Sequence, residues 1–330
     1  MPPILPGEWL PLADCSAAAM RYSFCEEPED AMHPVCVASL SVAARFLAAC
    51  LAGALFLAPA AAAPWLAQGD AAPQPSRCLA IAQSAPPTLR AEYRRLSPPL
   101  MPAQGEPFSL APPEVGSVAI RFVGHATFLI TSPQGVTIAT DYDGWAGGVT
   151  PDVVTMNHAH TSHFTTSPDP AIPNVLRGWN PQGGPARHYL NVGDVLIRNV
   201  PTDIRSLGGI READGNSIFI FETANLCIGH LGHLHHVLAP EDLAVIGQLD
   251  VVMVAVDGSY TMSQDAVVET LKVLKARLIL PMHYFGMSTL QRFLDRLGED
   301  FQVEMNPSAE TEVSVATLPD SPKVLVLPGF

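Results

Sequence analysis

The segment Met156-Asn157-His158-Ala159-His160-Thr161-Ser162-His163 places three histidines within six residues, directly after the apolar pair Val153-Val154. Neutral imidazole is the commonest protein ligand for zinc and related metals. On an extended backbone His158 and His160, two residues apart, point to the same side. His163 follows after a turn of chain and reaches round to a second position. The chain has eleven histidines, and all but His33 and His188 fall in four segments, at His125, at His158 to His163, at His230 to His236 and at His283. Solvated histidines would scatter more evenly, so this clustering predicts a metal centre.

The same segments carry a family resemblance. His158 to His163 resembles the H-x-H-x-D-H signature of the metallo-β-lactamase superfamily, with Ser162 where that family has Asp. Val123-Gly124-His125-Ala126-Thr127-Phe128-Leu129-Ile130 resembles the opening G-H-[AS]-T-F-L-I strand of the UlaG-like branch, the relatives of ascorbate-phosphate lactonase. Ile228 to Leu234 is similar to that branch's H-x-G-D-x segment, and Pro281-Met282-His283-Tyr284 to its late P-M-H-Y. The resemblance runs from about Ser117 to the C-terminus. It implies an α/β (α+β) αββα sandwich of two mixed β-sheets flanked by helices, with metal ligands on loops at one sheet edge.

The resemblance also implies a ligand set, and this chain departs from it. The family would place an Asp at Ser162, a later His near Asp203 or Ile204, and a bridging Asp at His233. The remaining ligands are almost all neutral, and two close divalent ions would be poorly compensated. One ion is therefore expected, zinc first, with iron and manganese compatible with the ligand type. The candidate metal ligands are His158, His160, His163, His233 and His283, with His163, His233 and His283 as the core set. His158 and His160 either join that set or hold a weaker second metal with Asp203. Three imidazoles and an open water position form a known catalytic zinc arrangement that lowers the water pKa to about 7. Three further residues are assigned to the chemistry. His125 would touch substrate or support a ligand, Asp141 would orient a ligating imidazole, and Tyr284, like Tyr260, would donate to a developing oxyanion.

The expected activity is a metal-dependent hydrolase in which a metal-bound hydroxide attacks an ester, lactone, amide or phosphodiester. The missing carboxylates keep a second reading open, a catalytically degenerate metal- or ligand-binding protein on the same scaffold. A third is an iron site for redox or oxygen chemistry. No G-x-S-x-G elbow, Walker A loop or strand-borne G-x-G-x-x-G competes with the metal reading.

Those residues need a scaffold, and the chain supplies one from Ser117 onward. Short β-branched runs read as strands: Val118 to Val123, Thr127 to Ile130, Val136 to Ala139, Val195 to Val200, Ser217 to Phe221, Val251 to Val256, Leu278 to Leu280, Val313 to Ala316 and Val324 to Leu327. Helical patterns cover Pro240 to Gly247, Ser263 to Leu274 and Ser288 to Leu297, the first two with acidic residues in their first turn.

The first third of the chain reads differently. Phe46 to Ala63 is apolar and uncharged, follows Arg45 and ends in small residues, the pattern of a secretory signal. An uncleaved membrane anchor is the alternative for residues 32–63, and the only expected contact with a membrane. Met32 makes a more ordinary start than Met1, so residues 1–31 read as a mis-called extension. Residues 64–116, rich in Pro and Ala, read as a linker or arm with one short helix near Leu89 to Leu96, and 117–330 as the metallo-β-lactamase-fold domain. Export would make the protein periplasmic or secreted. Of six cysteines only Cys78 and Cys227 lie beyond Cys50. Cys227 sits in an apolar strand-like run, so a buried free thiol is expected there rather than a disulfide. A net charge of -14 and the lack of a basic cluster exclude nucleic acid as the expected partner and leave a small-molecule substrate.

Overall fold

Alternating apolar residues in the second half of the chain bury two faces at once. Val251, Met253 and Ala255 point to one core, Val252 and Val254 to another. Such strands must be covered on both sides. A computed structural model describes residues 75–84, 113, 114, 116–205 and 209–329 of the 330. The segments 1–31 and 32–63 and the helix expected near Leu89 to Leu96 lie outside the described residues. Among the described residues no helix is long and apolar enough to cross a membrane.

In chain order the strands are β1 (Ser117–Gly124), β2 (Thr127–Thr131), β3 (Thr137–Ala139), β4 (Val153–Met156), β5 (Asn174–Arg177), β6 (Tyr189–Val192), β7 (Val195–Arg205), β8 (Arg211–Thr223), β9 (Leu226–His230), β10 (Val251–Ala255), β11 (Leu278–Met282), β12 (Gln302–Met305), β13 (Glu310–Ser314) and β14 (Lys323–Val326). The helices are α1 (Arg77–Ser84), α2 (Pro240–Ile246), α3 (Gln264–Leu274) and α4 (Met287–Leu294).

Two mixed sheets result. One is six-stranded, in the order β13-β1-β2-β3-β4-β5; the other is eight-stranded, β12-β14-β11-β10-β9-β8-β7-β6. Ile120, Phe128 and Ile130 of the first sheet meet Phe219, Phe221, Met253 and Leu280 of the second in the central core. On the outer face of the eight-stranded sheet, Ile246 of α2, Val267 and Leu271 of α3, and Leu290 and Phe293 of α4 pack over Ile220, Val252 and Ile279. The outer face of the six-stranded sheet is covered by Tyr142, Ala146 and Ile172 over Leu129, Val154 and Met156. This is the two-sheet sandwich expected of the fold.

The proline-rich arm contributes α1, a helix that local sequence pattern does not signal, and with it comes a correction. Cys78 of α1 and Cys227 of β9 form a disulfide, with Cα atoms 5.9 Å apart, instead of leaving Cys227 as a free thiol. The cause is long-range. The first turn of α1 has unsatisfied backbone N–H groups, and the Glu222 carboxylate on β8 accepts from Arg77 N at 2.9 Å and Cys78 N at 3.2 Å. Ser76 Oγ and Arg198 Nε donate to the same carboxylate at 2.6 and 2.8 Å. That anchor lays Cys78 over β9.

Candidate metal centre

Six strands end at the same sheet edge, and each is followed within a few residues by a polar side chain of the site. His125 follows β1, Asp141 follows β3, and Asn157 to His163 follow β4. His233 follows β9, Asp257 follows β10, and His283 follows β11. Three of these residues adopt left-handed backbone: His125 at φ 49°, Asp141 at φ 40° and His283 at φ 58°. Such conformations cost on the order of 1–3 kcal/mol each for a non-glycine residue and cluster at functional sites. Here the backbone is braced: His283 N donates to the His125 carbonyl at 2.7 Å, and Thr127 Oγ1 to the Asp141 carbonyl at 3.0 Å.

Five imidazoles converge. His125, His160, His163 and His283 each present one ring nitrogen, and these lie within 4.8 Å of one another. His233 closes the nest, its ring centroid 5.0 Å from that of His163 and 5.2 Å from that of His283. Carboxylates stand behind the rings rather than among them. His163 Nδ1 lies 2.6 Å from Asp141 Oδ2, and Asn157 Nδ2 donates to Asp141 Oδ1 at 2.8 Å. His283 Nδ1 lies 3.1 Å from Asp257 Oδ1. Asp257 also accepts from the backbone N–H groups of Ser259 and Tyr260, at 2.8 and 2.5 Å, and from Thr261 Oγ1 at 2.5 Å. Ser162 Oγ occupies His160 Nδ1 at 2.7 Å.

The electrostatics follow from this layering. Burial, reinforced by the neighbouring imidazoles, holds His163 and His160 below the ordinary histidine value and pushes His125 down to about 3. Burial likewise lowers His233, with His163 and His283 adding to the effect. Burial raises the Asp141 carboxyl to about 6. Burial also works to raise Asp257, but the nearby His283 ring and hydrogen bonds from Thr261 and Ser259 outweigh it and hold that carboxyl well below the usual range. At neutral pH His125, His160, His163 and His233 are neutral imidazoles, with the Asp141 and Asp257 carboxylates behind the nest.

This donor set fits a divalent cation. His125 Nε2, His283 Nδ1 and both ring nitrogens of His233 are buried and have no hydrogen-bond partner, although buried polar atoms are ordinarily satisfied. A cation in the nest would satisfy His125 Nε2 and at most one nitrogen of His233, and the Asp141 carboxylate behind His163 orients that ring as outer partners of metal-bound histidines do.

Of the residues singled out in the sequence, His125, Asp141, His160, His163, His233 and His283 come together. His158 does not. Its Nδ1 lies 2.6 Å from Glu212, its ring stacks on Trp179 at 5.1 Å, and its side chain is 42% exposed. Asp203 is also elsewhere, paired with Arg211 and accepting from Asp214 N. The expected second site built from His158 and Asp203 therefore does not form. Ile204 is fully buried. The Tyr284 hydroxyl donates to the Leu327 carbonyl at 3.4 Å and its ring packs against the core, which turns its proton away from the nest. His230 supports from below, with Nε2 2.9 Å from the Ala126 carbonyl. His235 and His236 lie outside, at the carbonyls of Asp203 and Val237.

Asp257 and Asn157 join the site without having been singled out by the sequence pattern. Asp257 had a usable signal, an acid between the end of a buried strand and Gly258. Asn157 had a weaker one, adjacency to the histidine triplet. Its Oδ1 also accepts from Ser217 N at 2.7 Å, which ties the two sheets together behind Asp141. Gly232, at φ 59°, leaves the room that Asn157 and Asn216 fill; a Cβ there would collide with both.

Against known families, residues 119–283 match the model of the Beta-lactamase superfamily domain. The chain belongs to that family. Among its relatives, a UPF0173 metal-dependent hydrolase of Methanoregula boonei is 26% identical over 184 residues, covering 50% of this chain and 81% of the relative. A second UPF0173 metal-dependent hydrolase, of Methanosphaerula palustris, is 25% identical and covers 57% of this chain and 96% of its own. A solved structure of a metallo-β-lactamase superfamily protein from Thermotoga maritima is 29% identical, covers 64% of this chain and all of its own, and superposes with a TM-score of 0.47. The matched span of the β-lactamase superfamily domain begins in β1 and ends at His283, so it brackets the whole histidine nest.

Proposed function

We propose that the protein is a metal-dependent hydrolase that works with one divalent ion, zinc first, on an ester, lactone, amide or phosphodiester. The observation that carries this reading is the nest itself: inward nitrogens of His125, His160, His163 and His283 within 4.8 Å, with His233 alongside. When bound, a divalent ion there supplies Lewis acidity and brings the pKa of a water to about 7, the chemistry of the hydroxide mechanism. The chain's own contribution is positional. Asp141 accepts the Nδ1 proton of His163 and leaves Nε2 free to ligate. Asp257 places its charge 3.1 Å from His283 Nδ1. Burial keeps His125, His160 and His163 unprotonated, so they remain ligands at neutral pH.

One observation favours a second reading, a binding protein without turnover: no carboxylate enters the nest, so none stands beside the reacting centre as a proton acceptor. Protein purified without a histidine tag, loaded with zinc, manganese or iron and assayed on ester, lactone, amide and phosphodiester panels decides between them. Turnover that disappears with chelator and returns with one equivalent of metal supports the hydrolase. Stoichiometric metal with no turnover across the panel supports the binding protein.

Export to an oxidising compartment belongs to the same proposal. The Cys78–Cys227 disulfide and the apolar segment Phe46 to Ala63 support it. Mass measurement of the native product tests it, with loss of the segment expected and its retention in a cytoplasmic product overturning it.

A further inference from the structure

Two clefts open onto the histidine nest, one without and one with a charged side chain among the described residues that line them. The first, of about 350 Å³, is lined by Phe122, His125, Tyr284, Phe285, Met287 and Met305, among others, and has no charged side chain in its wall. Phe285, Met287 and Met305 are more than half exposed at 59%, 62% and 54%, an apolar group at the mouth that nothing in the core requires. At its inner end stands His125, whose Nε2 has no partner. The second cleft, of about 230 Å³, is lined by His160, His233, Arg205, Ser259 and Tyr260 together with Ala159 and Gly209. Among the described residues Arg205 is its one charged residue, and no carboxylate lines it. Nη2 of Arg205 donates to the carbonyls of Ser259, Tyr260 and Thr261 at 2.8, 3.2 and 2.9 Å, which fixes the guanidinium in place. Among the described residues nothing accepts from its Nη1 or Nε. The clefts meet at the nest, where the His125 and His160 rings lie 5.6 Å apart, and the edge-to-face pair of Tyr260 and Phe285, at 5.6 Å, joins their outer walls.

We infer that the substrate is amphipathic, with an apolar chain in the Phe285–Met287 cleft, a carboxylate or phosphate on Arg205, and the scissile group between them over the nest. This rests on the proposed hydrolase reading and names the substrate class of the same site. The physical reasons are separate for each half. An uncharged wall of aromatic and methionine side chains gains by covering apolar surface. A guanidinium held by backbone carbonyls, with Nη1 and Nε unpaired among the described residues, pairs with carboxylate or phosphate oxygens through charge-assisted hydrogen bonds. In a chain with a net charge of -14, the Arg205 cation beside the nest also gives local attraction where the overall field repels anions.

Calorimetric binding to the zinc-loaded full chain tests this with four amide probes, each shown intact by mass measurement after the titration. N-decylsuccinamate carries a chain, a central amide and a carboxylate. N-methylsuccinamate lacks the chain, N-decylpropionamide lacks the charge, and N-decylphosphonoacetamide exchanges the carboxylate for a phosphonate. The complete probes are expected to bind about tenfold or more tightly than either truncated one, and the tighter of the two identifies the anion. Arg205→Gln should remove the advantage of the charge and leave N-decylpropionamide unaffected. Met287→Ser with Phe285→Ser should remove the advantage of the chain and leave N-methylsuccinamate unaffected. Equal affinity for all four probes overturns the inference without any variant, and so does Arg205→Gln weakening the neutral probe as much as the charged one. Probe selectivity in a protein that hydrolyses nothing would overturn the hydrolase reading alone. Hydrolysis indifferent to chain and charge would overturn this inference alone.

Discussion

His163 Nε2 and His283 Nε2 face each other at 3.1 Å in a fully buried setting. Asp141 lies 2.6 Å from His163 Nδ1, and Asp257 lies 3.1 Å from His283 Nδ1. With the Nδ1 proton of His163 held at Asp141, its Nε2 is a bare acceptor. A proton carried on His283 Nε2 or a cation between the rings satisfies that lone pair, and burial opposes a second proton on His163 itself.

The first prediction concerns metal content. Purified wild-type protein should hold one equivalent of divalent metal, and His163→Ala or His283→Ala should lose it. His158→Ala should keep it, because His158 is paired with Glu212 and stacked on Trp179 outside the nest. Elemental analysis of the three variants is the check. Loss of metal in His158→Ala with retention in His163→Ala would reverse the assignment.

The carboxylates behind the nest should act through the imidazoles they face. Asp141→Asn and Asp257→Asn should each weaken zinc binding by about 10–100-fold, the usual effect of removing an outer partner. Competition with a zinc-responsive chelator measures it. An unchanged affinity in Asp141→Asn would mean that the 2.6 Å contact to His163 does not orient the ligand.

Metal-free protein should lose stability on acidification. His125, His160, His163, His230 and His233 have folded pKa values below the ordinary histidine value, chiefly through burial. The unfolded chain therefore binds more protons as pH falls below about 6.5. Stability is complete above that value and declines as pH falls toward each folded pKa, about 3 for His125. Asp141 works in the opposite sense. Its folded pKa of about 6 exceeds the unfolded 3.8, so it gains stability on acidification through that window. Several histidines outweigh one carboxyl, so the urea midpoint of the apo-protein should fall between roughly pH 7.5 and 5. A midpoint that rises would refute the neutral-nest description.

The disulfide should matter to the whole domain, because it joins residues 149 positions apart. Cys78→Ala with Cys227→Ala, or chemical reduction, should cost about 2–5 kcal/mol of unfolding free energy. Denaturant unfolding in the presence and absence of reductant reads this directly. Metal affinity should change little, since neither cysteine touches the nest.

Much of the scaffold is legible in the amino-acid sequence alone. Runs such as Val251 to Val256 and Leu278 to Leu280 carry β-branched and apolar residues with turn residues at their ends, and they fold as β10 and β11. Their buried, two-faced character is a local property of composition and period. The cofactor chemistry is legible for the same reason: histidines grouped in four segments have few other uses. The helix at Arg77–Ser84 is not, because eight residues in a proline-rich region carry little propensity signal. Its stability comes from Glu222, about 145 positions away in sequence.

Residue type and spacing alone thus determined a two-sheet scaffold with an imidazole-rich metal centre on its loops. Membership of the centre was decided in three dimensions. The rule that residues two apart share a face put His158 beside His160, but it holds only on extended backbone. Strand β4 ends at Met156, and the chain then turns so that His163 N donates to the His160 carbonyl. His158 was thereby turned toward Glu212, while His125, from an apparently separate motif, was brought within reach. Asp257 gained its role only because β10 and β11 run side by side in parallel and end together, which sets it against His283. Strand pairing couples residues by register across the sheet, and register between distant segments is not written in either segment by itself.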